Sequence, residues 1–351
     1  MAGDSTTKIV YHTDQHYHTL FNPRNGLFAR IEDEDADEPE WSLDGPELLD
    51  VSITNYCERG CDFCYRNSSK AGKHISIADY RHILHQAKGA GVFQIALGGG
   101  NPNQHPQFAD ILKITSEAGI VPSYTTNGDG LTDEILKATK QYCGAMALSV
   151  YPPLRLLEER VKKISNYGIR LNLHIILSSA VIGKATEWLL NPPIWMKYIN
   201  ALIFLNYKPI NRRFKGVKAS KTQLKQFFEA VKGSQIKIGF DSCSISGILK
   251  WLDSPKEFLE ACEAARFSAF ISEDLMMYPC SFMVNTKMRG DLKKESLLDI
   301  WRNNEHFKAM RQPKLRNDCI NCCFKVDCKG GCNFLPEINF CENKCQHTPD
   351  L

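Results

Sequence analysis

Hydrophobic and polar positions follow two rhythms along the chain. From about residue 48 to 240, short apolar runs alternate with stretches whose apolar residues recur at helical spacing. LLDVSITN, VFQIALGGG, IVPSYTTNG, AMALSVY, RLNLHIILSS and ALIFLNYKP have the length and composition of buried strands. Between them SIADYRHILHQAKGAG, PQFADILKITSEAG, LTDEILKATKQYC, RLLEERVKKISNYG and a stretch near 183–199 read as helices. Six such units predict an α/β fold with a parallel sheet and crossover helices, either an open doubly wound sheet or a partial barrel. In both, chemistry gathers at the C-terminal ends of the strands. The first cysteines, then GGGNP, TTNG and SVYPP, all fall at such ends, so a single shared site is expected.

Beyond 240 the alternation stops. SGILKWL and KEFLEAC read as helical, RFSAFISEDLMMYPCSFM as a hairpin, and ESLLDIWRNNEHFKAMR as amphipathic. The closing CINCCFKVDCKGGCNFLPEINFCENKC is too polar and glycine-rich to form a core unaided, so metal would have to hold it. Before residue 48, YHTLFNPRNGLFARIED has the pattern of a β-hairpin turning at Asn-Gly, and EDEDADEPE that of a solvated loop. The expected divisions are 1–47, 48–240 and 241–351.

Composition is ordinary for a globular chain of 351 residues, with 43% hydrophobic and 24% charged positions. A net charge of +3 gives no ground for a nucleic-acid or membrane partner. No apolar run approaches the ~18 residues of a membrane helix, and the N-terminus lacks the pattern of a signal peptide. A cytoplasmic location is the expectation. The departure is fourteen cysteines. Where thiols are kept reduced, dense and regularly spaced cysteines read as metal ligands. Three stand at 57, 61 and 64, and seven crowd into 319–345; Cys143, Cys243, Cys262 and Cys280 lie between.

A cubane iron–sulfur cluster takes four protein ligands when it only carries electrons. Three ligands leave one iron open, and an open metal position marks a catalytic site. Cys57-x3-Cys61-x2-Cys64, with Phe63 before the last cysteine, resembles the signature of radical S-adenosylmethionine (SAM) enzymes, placed after the first strand as in that family. The resemblance implies a partial (β/α)6 TIM-like barrel and a [4Fe–4S] cluster whose open iron is chelated by SAM. It also implies a 5′-deoxyadenosyl radical that abstracts hydrogen from substrate. The bland alternative is a three-cysteine zinc site or chance spacing. Gly99, Gly100, Asn101 and Pro102 begin GGNPNQHP, similar to the family's GGEP segment, in which the glycines let backbone approach SAM and the Glu accepts from its ammonium. Asn101 replaces that Glu and would accept without charge assistance. Thr126, Asn127 and Ser149 match positions where relatives contact SAM, although polar strand ends also serve as helix caps.

The tail resembles the SPASM extension of peptide- and protein-modifying radical SAM enzymes through Cys319-x2-Cys322-x5-Cys328-x3-Cys332. Upstream, Cys262 and Cys280 fit the family's Cys-x9–15-Gly-x4-Cys, with Leu275 in place of the turn glycine. That family implies two auxiliary [4Fe–4S] clusters beside the SAM-binding one. Cys319, Cys322, Cys328 and either Cys345 or Cys341 would hold one; Cys262, Cys280 and Cys332, with Cys243 as candidate fourth ligand, would hold the other. Cys143 and Cys323 read as spare thiols. Zinc is the alternative for the tail alone.

An auxiliary cluster suits removal of an electron from a substrate radical. The leading reading is therefore oxidative modification or crosslinking of a ribosomally made precursor peptide. Side-chain oxidation of a protein as in sulfatase maturases, peptide epimerisation, a small-molecule substrate, and a non-catalytic iron–sulfur protein stand as alternatives. The implied partners are the peptide or protein substrate and a reductant such as ferredoxin or flavodoxin. A separate leader-binding protein is a further one, unless the N-terminal hairpin offers a sheet edge to the peptide.

Overall fold

A computed structural model describes residues 7–24, 26–37, 39–210, 218–252, 255, 259–312 and 315–341. The first three strands, β1 (Lys8–His12), β2 (Tyr17–Phe21) and β3 (Phe28–Glu32), form a separate antiparallel sheet in the order β1-β2-β3. The expected hairpin is β2–β3, with Phe21 opposite Phe28, while Asn25 of its turn lies outside the described residues. The sequence reading missed β1, whose side chains are mostly exposed.

The main sheet begins with β4 (Leu48–Thr54), followed by α1 (Ile77–Gly89), β5 (Gln94–Gly99), α2 (Phe108–Glu117) and β6 (Val121–Thr126). It continues with α3 (Asp133–Tyr142), β7 (Ala145–Val150), α4 (Leu157–Ser165), β8 (Leu171–Leu177), α5 (Ile182–Leu190), β9 (Ala201–Asn206), α6 (Lys221–Gly233) and β10 (Ile238–Phe240). All the strands from β4 to β10 pair in parallel with their neighbours. Strand β10 was not expected; three residues carry too little pattern to register.

Period-two alternation decides which side chains meet the helices. On β4, Leu49, Val51 and Ile53 join the apolar core, which puts Asp50, Ser52 and Thr54 on the lumen face. Likewise Leu171, Leu173, Ile175 and Leu177 of β8 are core, and His174 faces the lumen. The result is the partial barrel, with helices outside.

The small N-terminal sheet lies at the opposite end from the strand C-termini. The Phe21 ring is 5.7 Å from Phe93, just before β5, and the Arg170 guanidinium, just before β8, donates to the Arg24 carbonyl at 2.7 Å. Buried Arg30 pairs with Glu47, just before β4, at 2.6 Å.

The C-terminal third adds α7 (Ile245–Trp251), β11 (Ser268–Ile271), β12 (Met276–Tyr278), β13 (Gly290–Asp291), α8 (Leu297–Asn303) and α9 (Glu305–Arg311). The first three residues of KEFLEAC lie outside the described residues, and 259–262 is irregular. The amphipathic stretch 295–311 is two helices, because Asn304 leaves the helical region (ψ 130°) and its side chain caps α9 by accepting from the His306 N–H. The hairpin β11–β12 is present, and β11 also pairs in parallel with β4, Ile271 opposite Val51. One sheet of ten strands therefore runs in the order β10-β9-β8-β7-β6-β5-β4-β11-β12-β13. Leu275, where the family pattern has glycine, adopts the left-handed region with φ +67° and is 2% exposed. That conformation costs roughly 1–2 kcal/mol for a side-chain-bearing residue, and burial of the leucine offsets it by about 1.5–3 kcal/mol.

Candidate functional site

The loop after β4 presents Cys57, Cys61 and Cys64 at the C-terminal mouth of the barrel. The Cys57 N–H donates to the Ser69 carbonyl at 3.0 Å, and a turn closes with Cys64 N–H on the Cys61 carbonyl at 3.0 Å. Burial raises the Cys61 thiol above its usual range; the Arg59 cation opposes this, while Cys57 and Cys64 add to it. The Asn127 amide reaches the Cys57 sulfur at 3.8 Å. The Phe63 ring packs edge-on against Tyr151 at 5.4 Å, and the Arg59 guanidinium lies over the Tyr151 ring at 4.2 Å. Beside them lies a cavity of about 200 Å³ bounded by Arg59, Asn127, Asp129, Ser149, Tyr151 and Arg160 among others.

Gly99 and Gly100 serve the cysteine loop directly. Gly100 N–H donates to the Thr54 carbonyl at 2.6 Å, and Asn101 N–H to the Tyr56 carbonyl at 2.9 Å. Gly99 has φ +113°, and a Cβ there would stand 2.0 Å from the Thr54 oxygen; one on Gly100 would stand 2.0 Å from the Tyr56 oxygen. The two backbones touch only because neither position has a side chain. Pro102 opens a single 3-10 turn, from which Gln104 clasps Glu58 by a bond in each direction.

Asn101 is 2% exposed and fully engaged inside the protein. Its Oδ1 accepts from the Thr126 hydroxyl at 2.9 Å and the Asn127 N–H at 3.2 Å, while its Nδ2 donates to the Asp129 carbonyl at 3.0 Å. Both lone pairs of the carbonyl are thereby used, and the residue ties the loop after β5 to the loop after β6. Arg160 of α4 fastens that second loop, donating to the Asn127 carbonyl and the Asp129 carboxylate, each at 2.5 Å. Asp129 and Arg160 carried no signal in the sequence, since a charged residue in a loop or on an amphipathic helix is usually a solvated one. Replacing Asn101 with alanine leaves the Asn127 N–H without its acceptor, while the Thr126 hydroxyl keeps Asn103 Oδ1 at 2.5 Å; stability is expected to fall by about 1–3 kcal/mol. Thermal melting checks this, and SAM affinity should weaken alongside through disorder at Asn127.

A second group of thiols gathers Cys243, Cys262, Cys280 and Cys332. Burial pushes each up: Cys262 to about 11, Cys280 to about 12, and Cys243 and Cys332 in the same direction. The members act on one another, Cys243 feeling Cys262 and Cys280, and Cys280 feeling Cys262 and Cys332. A third group brings Cys328, raised to about 11 by burial, together with Cys341 and Cys319. Cys322 lies one turn on, its N–H on the Cys319 carbonyl at 3.3 Å. Cys345 lies outside the described residues. Cys323 is exposed, and Cys143 packs against the hydrophobic core at the end of α3. The described cysteines form no disulfides with one another.

These groups fit iron–sulfur clusters chemically. Buried thiols that raise one another's pKa are poor thiolates alone, and a multivalent cationic core is what lets several ionise together. The first two groups also meet. Tyr65, next to Cys64, packs its ring 4.7 Å from Phe282, two residues past Cys280. Residues 51–175 match the family model of the radical SAM superfamily. The chain is a radical SAM protein.

Residues 262–323 of this radical SAM protein match the model of the SPASM iron–sulfur cluster-binding domain. It is an enzyme of that type, with SAM and [4Fe–4S] clusters as cofactors. Among curated proteins it resembles the mycofactocin maturase MftC of Mycolicibacterium smegmatis, 22% identical over 84% of this chain and 79% of that one. It also resembles the AdoMet-dependent heme synthase of Methanosarcina barkeri, 20% identical over 81% of this chain and 90% of that one. Among solved structures, Streptococcus suis SuiB bound to the precursor peptide SuiA aligns with a TM-score of 0.75 at 14% identity, covering 93% of this chain and 94% of the other. That likeness is one of fold.

Between the cysteine groups, Arg66 is buried and pairs with Glu273 of the β11–β12 turn at 2.6 Å. Glu273 also accepts from the Ser52 hydroxyl at 2.7 Å. The hairpin that carries Leu275 is thus anchored to the loop that carries Cys64. In the lumen, desolvation shifts two titratable groups toward neutrality, Asp50 up to about 6 and His174 down to about 4. Among the described residues no helix is long and apolar enough to cross a membrane.

Proposed function

We propose that this enzyme abstracts a hydrogen atom from a precursor peptide and completes an oxidative modification or crosslink. Cys57, Cys61 and Cys64 would hold the SAM-binding cluster. Cys243, Cys262, Cys280 and Cys332 would hold one auxiliary cluster, and Cys319, Cys322, Cys328 and Cys341 another, with Cys345 the alternative to Cys341. A cluster held by Cys57, Cys61 and Cys64 would supply the reductive chemistry on SAM that makes hydrogen abstraction possible. The protein's own contribution is placement. Tyr151, Asn127 and Ser149 bound the cavity beside the cysteine loop, Phe63 packs on Tyr151, and Gly99, Gly100 and Pro102 hold the loops in contact. Thr126 and Asn101 keep Asn127 turned toward Cys57. Asp50 and His174 are lumen groups able to exchange a proton with an oxidised substrate.

The observation that supports the reading is the packing of Tyr65 on Phe282, which brings the segment of Cys64 against that of Cys280. Oxidation needs an electron sink close to the lumen, and hydrogen abstraction alone does not. A peptide substrate is favoured by the relatives named for peptide maturation and by the SuiB–SuiA complex. The exposed edge strand β1 offers a place to pair with a peptide, although at the far end of the barrel. An external one-electron reductant such as ferredoxin or flavodoxin completes the scheme, which the reducing cytoplasm suits.

The test is anaerobic reconstitution, then SAM cleavage with dithionite in the presence and absence of peptides that copurify with the chain. Peptide-stimulated 5′-deoxyadenosine formation and a product lighter by two hydrogens are expected. Cleavage stimulated only by a small molecule, as the heme synthase relative would suggest, would sink the peptide reading.

A further inference from the structure

Two residues beyond the end of β9, Lys208 turns its side chain inward, leaving 7% of it exposed. A lysine so buried is driven toward its neutral form unless an anion accompanies it. Asp241 is that anion, ion-paired with Nζ. Asp241 is itself held, its Oδ1 accepting from the Asn206 N–H at 3.1 Å and the Ser244 hydroxyl at 2.8 Å. The pair is therefore fixed rather than free to reorient.

It is fixed among the four-cysteine group. Asp241 precedes Cys243 by two residues, and Lys208 Nζ stands 4.9 Å from the ring centre of Phe282, two residues after Cys280. Asn206 Nδ2 donates to the carbonyls of Cys243 at 2.9 Å and Ile338 at 3.1 Å, joining the end of β9 to the segment that follows Cys332. The two charges are not equivalent there. Asp241 is turned back onto Asn206 and Ser244, whereas Lys208 Nζ reaches over the Phe282 ring into the segment that carries Cys280.

We infer that Lys208 sets the reduction potential of the cluster held by Cys243, Cys262, Cys280 and Cys332, holding it above the value those ligands alone would give. The inference rests on reading these four cysteines as ligands. Four thiolates make the cluster anionic, and reduction adds one more negative charge. A fixed cation in a low-dielectric setting stabilises the reduced form more than the oxidised one. Asp241 keeps Lys208 charged and tempers its field. Lys208 is thus a positioning charge: it makes the cluster a readier acceptor for one electron from the substrate radical without touching substrate.

The experiment is an anaerobic redox titration followed by electron paramagnetic resonance on the full-length, reconstituted protein. A Cys57/Cys61/Cys64→Ala background removes the SAM-side signal. Lys208→Met is expected to make reduction at least tenfold less favourable, a fall of 59 mV or more for a one-electron couple. Lys208→Arg is expected to hold the midpoint near the native value, and Asp241→Asn, which lets the stranded lysine shed its proton, to lower it. An unchanged midpoint in Lys208→Met, or a fall in Lys208→Arg as large as in Lys208→Met, overturns the inference and leaves a merely structural ion pair. Should Lys208→Met fail to load iron, Lys208→Gln carries the test, and a midpoint there that is unchanged or higher overturns it. Cys243→Ser separates the two readings, because iron content and signal both unaffected by that change would remove the ligand assignment itself.

Discussion

Iron falls from about twelve to about eight per chain when Cys57, Cys61 and Cys64 are all replaced by alanine, and SAM cleavage falls to background. That is the expected result of anaerobic reconstitution with iron and sulfide counted. The three thiols belong to one loop, pinned at Ser69 and by its own internal turn, so their loss should leave the other two groups standing. The cysteines at 243, 262, 280 and 332 are held by β10, the β11–β12 hairpin and the tail, none of which uses the first loop as a ligand source. Retention of about twelve irons would mean that the loop holds no cluster. A fall to about four, with zinc taking up the difference, would make the tail structural and remove the electron sink from the proposed chemistry.

Alanine at Gly100, or at Gly99, should abolish turnover almost as completely while altering no ligand. A methyl group at either position would sit 2.0 Å from a carbonyl oxygen of the cysteine loop, more than 1 Å inside normal contact. The loops must part, which breaks the bonds from Gly100 N–H and Asn101 N–H; at Gly99 the φ of +113° adds strain. Misplacement of catalytic parts by ~1 Å costs on the order of 100-fold in rate. The two lost hydrogen bonds cost roughly 0.5–1.5 kcal/mol each. Single-turnover SAM cleavage together with thermal melting reads both effects. Gly98→Ala is the matched control for stability, since nothing lies within 4 Å of its added methyl group. A Gly100→Ala enzyme with native cleavage rates would show that loop contact does not position the cysteines.

The six long parallel strands were legible because each is a buried apolar run followed by a helical period. The chemistry was legible because cysteine spacing survives without any knowledge of the fold. Strand β10 was not, having three residues, and neither was the pairing of β11 with β4, since a strand carries no mark of a partner more than two hundred residues away. Leu275 misled in an instructive way. Glycine is the usual residue for a left-handed turn, but here burial of an apolar side chain offsets the backbone cost, so the turn survives the substitution. Asn101 shows what spacing leaves out. Its position suggested a contact to SAM, and the structure adds that its amide joins two loops. Spacing could nominate Cys243 only loosely, since the short β10 that ends three residues before it left no pattern in the sequence.

The pairing of β11 with β4 bears on how this enzyme can be taken apart. A shortened chain ending near residue 240 would look, by cysteine count, like a clean way to isolate the SAM-cleaving half. It would instead strip β4 of a neighbour along Leu48–Val51 and remove Glu273 from buried Arg66. Bare backbone at the edge of a hydrophobic strand invites pairing with other chains, and a buried arginine without its carboxylate costs roughly 3–5 kcal/mol. Such a fragment should precipitate, and its inactivity would say nothing about electron transfer. Point substitution of individual thiols, in a chain left whole, is the dissection this architecture permits.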